Sequence, residues 1–405
     1  DEENSRPYYW RYWRRLPDKG KIGIFFDAWY GSLMKKSMWG KSKSAQFSRQ
    51  CQQISDFEKM LTDDGAVIVK LWLHISRETQ YLQLCQDAPK KQQNLKVPMD
   101  PKRARKHYDK AVLAAHRMIQ ESETELCSWH LIEAEDNNHR DLAAGEALLS
   151  ALQRRAKTPI AQTPGEKPSK KTYPNALSQV DLTQSLDSST YKNKLNKYQT
   201  KLQDLAWQLH GHQRSVVAVF EGWDAAGKGS AIRRVTGAFD PRLYKVVQFS
   251  APTDEERRQH YLWRFWRQLE RDGRSSLFDR SWYGRVLVER VEEFASPQEW
   301  GRAYGEINQF EKQLTDHGNI VLKFWIHISP EEQLRRFKER EQKPHKQYKI
   351  TDEDWRNRDH WGHYETAIDE MIARTSTDYA PWTVVAGTNK RFARIQILQT
   401  FCHQM

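Results

Sequence analysis

Residues 215–230 read Ser-Val-Val-Ala-Val-Phe-Glu-Gly-Trp-Asp-Ala-Ala-Gly-Lys-Gly-Ser, and this stretch decides the fold. Val216 to Phe220 form a short, β-branched apolar run, the mark of a strand buried on both faces. Small residues and glycines then surround one lysine (Ala226, Gly227, Lys228, Gly229), and Ala231 to Val235 continue at helical spacing. A strand, a glycine loop with a lysine and a helix together make a cradle for phosphates. Glycines let backbone N–H groups turn inward, the helix N-terminus adds partial positive charge, and the lysine reaches the transferring group. Gly222-x4-Gly227-Lys228 fits the phosphate-loop pattern, but Gly229 and then Ser230 follow where Ser or Thr would directly hold magnesium. An ordinary glycine-rich strand-to-helix turn is the plain alternative. Asp224 sets a carboxylate inside the loop, which makes sense if it holds a metal ion or meets a second substrate.

Working outward, strands are expected near 216–221, 244–249, 275–279, 320–327 and 383–386. Helices near 191–210, 229–238, 254–271, 297–317, 331–340 and 353–374 alternate with them. The pattern implies an α/β parallel sheet flanked by helices, with its site at the carboxyl ends of the strands. One strand ends Ser275-Ser276-Leu277-Phe278-Asp279, followed by Arg280 and then Arg285, which suits a magnesium-holding acid beside phosphate-binding cations.

The chain repeats itself at an offset of 253. Trp10-Arg11-Tyr12-Trp13 returns as Trp263-Arg264-Phe265-Trp266, Trp29-Tyr30-Gly31 as Trp282-Tyr283-Gly284, and Trp72-Leu73-His74-Ile75-Ser76 as Trp325-Ile326-His327-Ile328-Ser329. An ungapped repeat over more than a hundred residues implies a tandem duplication. The expected domains are an earlier copy at 1–152, a linker at 153–188 rich in Pro, Ser, Thr, Lys and Gln, and a later copy at 189–405. The counterpart of 215–252 would lie before residue 1. The earlier copy has Phe26 opposite Asp279, Asp27 opposite Arg280 and Ser32 opposite Arg285, while the Trp-Tyr-Gly residues persist. It is therefore expected to be structural and non-catalytic, with Phe26 serving stability and Trp282 and Tyr283 serving packing.

The 405 residues carry a formal charge of +12, which points to a polyanionic partner. No apolar run approaches the ~20 residues of a membrane span. Cys51, Cys85, Cys127 and Cys402 have no metal-site spacing and read as thiols of a cytoplasmic protein. Residues 335–349 hold seven Lys or Arg against two Glu. Either this is a solvated helix face ending at Pro344, or a cationic lid that closes over phosphates. Its counterpart has Cys85 for Lys338, Asp87 for Arg340 and Gln93 for Lys346, so its charge is lost together with the acid and arginines above. That joint loss favours the lid.

Glu221-Gly222-x-Asp224-Ala225-Ala226-Gly227-Lys228-Gly229, with Phe278-Asp279-Arg280-Ser281-Trp282-Tyr283-x-Arg285, resembles the family-2 polyphosphate kinases. Pro252-Thr253, Trp325, the lid and Pro381-Trp382 agree. Two copies with motifs in the second alone are similar to the two-domain class that phosphorylates nucleoside monophosphates. The resemblance implies a P-loop kinase fold akin to thymidylate kinase with a helical lid, Mg2+ (or Mn2+) dependence, and transfer from inorganic polyphosphate to AMP, giving ADP. It implies that Lys228, with the loop of Gly222, Gly227, Gly229 and Ser230, holds donor phosphates. Asp224 and Asp279 would organise metal, with Glu289 as a further candidate, and Arg280 and Arg285 would clamp the reacting groups. Lys338, Arg340, Lys343, Lys346 and Lys349 would bind the chain. No nucleic-acid or membrane partner is expected; a homo-oligomer is. An ATP-dependent kinase, a polyphosphate-driven diphosphate kinase and a non-enzymatic polyanion binder are the other readings. Asp224 with Asp279 would repel a nucleic-acid backbone, which weakens the last.

Overall fold

The computed structural model describes residues 2–39, 44–87, 100–157, 173 and 175–405, with the side chains of Lys346 and Lys349 outside the description. These residues form two compact units, 19–163 and 1–18 with 164–405. Of the expected linker, residues 158–172 and 174 lie outside the described residues.

In the unit 19–163, β1 (Lys70–His74) pairs in parallel with β2 (Trp129–Glu133). Around them lie α1 (Gly31–Met38), α2 (Ser44–Asp63), α3 (Arg77–Asp87), α4 (Pro101–Ser122) and α5 (Asn137–Lys157). Helix α4 starts where the Asp100 side chain accepts from the Lys102 amide, with Pro101 at the first position, where a missing N–H costs nothing.

The larger unit is built on five parallel strands in the order β4-β5-β3-β6-β7. These are β3 (Val216–Gly222), β4 (Tyr244–Gln248), β5 (Ser275–Asp279), β6 (Ile320–His327) and β7 (Trp382–Ala386). Strand β3 sits centrally and Val216 through Glu221 are all buried, as a β-branched run with helices on both faces requires. The helices are α6 (Ser188–Gly211), α7 (Lys228–Thr236), α8 (Pro297–Asp316), α9 (Pro330–Glu341), α10 (Asp352–Asp359), α11 (Trp361–Thr375) and α12 (Lys390–Gln404). Helix α8 opens with a reciprocal cap, the Glu299 amide donating to Ser296 Oγ and the Ser296 amide to Glu299 Oε2. Phe220, Phe324 and Phe401 stack in the core between sheet and α12.

The 253-residue offset holds between elements: α2 corresponds end to end with α8, and β2 with β7. It also holds for a buried polar cluster. Lys323 Nζ donates to Glu311 Oε2 (2.8 Å), Tyr283 Oη (3.0 Å) and the Thr375 carbonyl (2.6 Å), while Trp282 and Tyr283 donate to Glu311 Oε1. In the smaller unit Lys70 meets Glu58 (3.0 Å), Tyr30 (3.3 Å) and the Ser122 carbonyl (2.8 Å), and Trp29 and Tyr30 donate to Glu58. Trp282 and Tyr283 persist because each satisfies a buried carboxylate, which would otherwise be costly.

Three expectations are corrected. The helix foreseen over 254–271 is broken into the turns Asp254–Arg257 and Trp263–Trp266. His260 Nδ1 accepts from the Leu262 amide, so a side chain takes the place of a helical carbonyl. The helix foreseen over 353–374 is divided at His360 into α10 and α11. The counterpart of β5, Ile22 to Phe26, forms no strand. Ile22, Ile24 and Phe26 are 67%, 81% and 93% exposed. At that exposure Phe26 does not have the buried, stabilising place expected of it. The two compact units divide at 18/19 and 163/164. Trp13 stacks on Trp266, Gln259 donates to Asp18, and Leu177, buried within the expected linker, donates its amide to Asp369.

Candidate active site

Strand β3 ends at Gly222, whose φ is +147°. A Cβ there would stand 2.6 Å from the Ile326 carbonyl of neighbouring β6, so only glycine lets the chain leave the sheet at this point. The loop turns again at Ala225 (φ +62°) and at Gly227 (φ +119°), which caps α7. Lys228 opens the helix and folds its ammonium over the loop, donating to the carbonyls of Gly222 (2.6 Å) and Trp223 (3.3 Å). Ser230 Oγ donates to the Gly227 carbonyl at 2.9 Å, which fixes the first turn.

Strand β5 delivers Asp279 to the same end of the sheet, paired with Phe220 on one side and Gln248 on the other. Asp279 Oδ2 lies 3.8 Å from the position a Cβ on Gly229 would occupy, so the carboxylate borders the helix N-terminus. Arg280 follows in a left-handed conformation (φ +66°), a strained state for a non-glycine residue. Its guanidinium lies 3.6 Å from Asp224 Oδ1 and 3.8 Å from Glu353 Oε1. Burial pulls its pKa down, but Asp224, Glu353, Glu221 and Asp279 outweigh that and raise it. Beneath it, Glu221 is buried and accepts from Ser281 Oγ at 2.8 Å. Burial raises the Glu221 pKa, opposed by Lys228 and the Ser281 bond. Ser281 in turn receives the Tyr283 amide and starts the turn that carries Arg285.

The structure thus brings Gly222, Asp224, Gly227, Lys228, Gly229, Ser230, Asp279 and Arg280 together at the carboxyl ends of β3 and β5. Arg285 stands over the Tyr261 ring and pairs with Glu289 at 3.2 Å. That pairing occupies Glu289, proposed from sequence as a metal ligand. Of the lid cations, Lys338 is exposed on α9, Lys343 is tied to Glu339 at 2.5 Å, and Arg340 acts electrostatically on Asp354. The side chains of Lys346 and Lys349 lie outside the described residues.

Sequence reasoning missed the residues by which the lid holds the loop. Gln333 donates to the Asp224 carbonyl, Arg336 to the carbonyls of Ala225 and Ala226, and Asn357 to Asp224 Oδ2 at 3.0 Å. The offset could have found two of them, because Arg336 is Gln83 and Asn357 is Ala104 in the earlier copy. Trp223 covers the loop: it stacks on Trp361 at 3.6 Å and donates to His327 Nδ1 at 3.0 Å. Burial lowers the His327 pKa to about 4, so it is neutral near pH 7 and structural, like the other partners of that indole.

Among the described residues no group of three or more His, Cys, Asp or Glu could hold a metal ion. Asp224 and Asp279 are nevertheless hard oxygen donors at one strand end. Mg2+ is commonly held by one or two carboxylates, with water and substrate phosphates completing its shell, so this donor set fits that ion.

The family model described as polyphosphate kinase 2 matches residues 1–159 and 185–405. A polyphosphate:AMP phosphotransferase of Pseudomonas aeruginosa is 46% identical over 99% of this chain and 82% of its own. Its namesake in Pseudomonas syringae pv. tomato is 44% identical over 99% and 81%. A crystal structure of a polyphosphate kinase 2 from Pseudomonas aeruginosa superposes with a TM-score of 0.87 at 44% identity, covering 100% of this chain and 81% of that one. No described helix is long and apolar enough to cross a membrane.

Proposed function

This chain belongs to the polyphosphate kinase 2 family, and from that premise we propose that it transfers the terminal phosphoryl group of inorganic polyphosphate to AMP, giving ADP. The observation that carries the reading is the convergence of Lys228, Arg280, Asp224 and Asp279 on one glycine loop at the N-terminus of α7. Relatives matched over nearly the whole chain carry the name of that reaction.

The acceptor is a phosphate oxygen whose second pKa is about 6, so it is largely ionised near neutral pH and needs no strong general base. Neutral, indole-bonded His327 accords with that. Catalysis then rests on positioning and charge neutralisation. Lys228 would leave the Gly222 and Trp223 carbonyls for the donor phosphates, which the α7 amides also receive. Arg280 and Arg285 would hold acceptor and transferring groups in line, each kept in place by a carboxylate. Lys338, Arg340 and Lys343, with Lys346 and Lys349, would neutralise the polymer. Mg2+ (or Mn2+), held by Asp224 and Asp279, would supply further charge neutralisation between neighbouring phosphates. Trp223 and Trp361 would keep water from the loop.

We read the glycine loop as a P-loop, the chain as a tandem duplication, and the earlier unit as its non-catalytic copy. Phe26 and Ser32 stand there where Asp279 and Arg285 do the chemistry. Four unpaired cysteines suit a cytoplasmic setting. The test is a coupled assay with AMP and magnesium, comparing polyphosphate with ATP as donor. ADP formed with polyphosphate supports the proposal; turnover with ATP alone replaces it with an ATP-dependent kinase, and no turnover with either leaves a polyanion binder.

A further inference from the structure

Arg336 is 2% exposed, yet it lies in the most basic stretch of the chain. A guanidinium has five N–H donors, and here all five are used. Nε donates to Glu332 Oε1 (2.6 Å), one terminal nitrogen to the Ala225 (3.0 Å) and Ala226 (2.8 Å) carbonyls, and the other to those of Gly387 (2.8 Å) and Thr388 (2.9 Å). Burial lowers its pKa, opposed by Glu332, its counter-charge one helical turn away. Arg336 therefore has no donor left for a polyphosphate oxygen.

What it grips is informative. With Gln333 on the Asp224 carbonyl, helix α9 takes three successive carbonyls of the glycine loop. Ala225 is held at φ +62°, a conformation a non-glycine residue keeps only when its surroundings enforce it. A carbonyl drawn back toward α9 turns the following peptide N–H the opposite way: the Ala226 N–H closes the loop onto the Trp223 carbonyl at 3.0 Å, and the Ala225 and Gly227 amides are the candidates for phosphate. The same guanidinium ties that loop to the segment after β7. At the 253-residue offset, Glu332 and Arg336 correspond to Thr79 and Gln83.

We propose that Arg336 is a positioning residue: it holds Ala225 and Ala226 so that the loop amides face the phosphates, and it couples the lid helix to the loop. The proposal rests on the phosphoryl-transfer reading only for its kinetic arm. Arg336→Lys keeps the charge but offers three donors from one point in place of a fork of five. The expected result is a fall in kcat of about 30- to 300-fold, with KM for AMP within threefold. Backbone amide exchange in residues 224–230 should rise at least tenfold, while β6 and α12 stay protected. Arg336→Gln should behave likewise and more strongly, and added guanidinium should partly restore the turnover of an Arg336→Gly variant. Loop exchange unchanged in Arg336→Lys would overturn the proposal, as would kcat within threefold of the parent. A rise in exchange spread evenly over the sheet would also overturn it, marking Arg336 as core mass. If the Gln and Gly variants fail to fold, the Lys variant alone decides. A parent chain that is inactive with polyphosphate leaves the exchange arm standing and defeats only the reading of function.

Discussion

Asp279 and Lys228 approach the glycine loop from two sides, and each can be removed without touching the core. Asp279→Asn keeps shape and loses charge beside Gly229, and Lys228→Met keeps the stem and loses the ammonium. Each should lower kcat by at least about 10²- to 10³-fold, the usual loss for one preorganised electrostatic group, with thermal midpoints close to the parent. Retained turnover in either variant would place the chemistry elsewhere. His327 makes a separate prediction about pH. Its folded pKa of about 4 lies below the ordinary 6.5, so between these values the unfolded chain binds more protons than the folded one. Stability therefore rises with pH across that window and is lost as pH falls from 6.5 toward 4. His327→Gln keeps an acceptor for the Trp223 indole and should remove about 2 kcal/mol of the stability difference between pH 7 and pH 5. Urea titrations at the two pH values measure it; an unchanged pH difference would mean that His327 is not buried neutral.

Among the elements, the strand-loop-helix from β3 to α7 was legible because its signals are local: a β-branched run, glycines at positive φ and a lysine at the helix start. The lid was legible as charge but not as architecture. Its basic composition hid the fact that Arg336 is buried and spent on backbone carbonyls, since nothing in a run of cations says which one turns inward. The break near His260 was equally hidden, because a side chain accepting a backbone N–H leaves no mark in apolar periodicity. The lid returns to the loop through α10, where Asn357 bridges Asp224 and the Tyr364 hydroxyl. Asn357→Asp would set a second carboxylate against Asp224. The expected result is a rise in the magnesium concentration for half-maximal rate and a lower kcat, while Asn357→Ala mainly lowers kcat. Equal magnesium dependence in the two variants would show that Asn357 does not face Asp224 in the working enzyme. The exposed cations of the lid should make KM for polyphosphate rise with salt, because the screening length is only about 10 Å at 0.1 M. KM for AMP should change less, and a flat response for polyphosphate would remove the lid cations from binding.

At the scale of the whole chain, the offset of 253 separates what a unit needs to fold from what the site needs to react. The smaller unit keeps Glu58, Lys70, Tyr30 and Trp29 in the same buried arrangement as Glu311, Lys323, Tyr283 and Trp282, while Phe26 and Ser32 stand at the offset positions of Asp279 and Arg285. In the larger unit, burial lowers the Lys323 pKa, opposed by Glu311 against it, so the pair holds its charge only by mutual contact. Removing one partner of such a pair typically costs about 3–5 kcal/mol, because the other charge is left buried alone. Lys70→Met and Lys323→Met should therefore each destabilise their own unit by about that much. Phe26, at 93% exposure, predicts the opposite. Phe26→Ala in this chain should change stability by less than about 0.5 kcal/mol, the usual range for an exposed position, and leave turnover with polyphosphate and AMP unchanged. Calorimetry on the three variants, with the AMP assay alongside, checks the set. A Phe26→Ala variant as unstable as Lys70→Met would mean that residues 22–26 are covered in solution. A stable Phe26→Ala variant without activity would mean that the smaller unit takes part in the reaction.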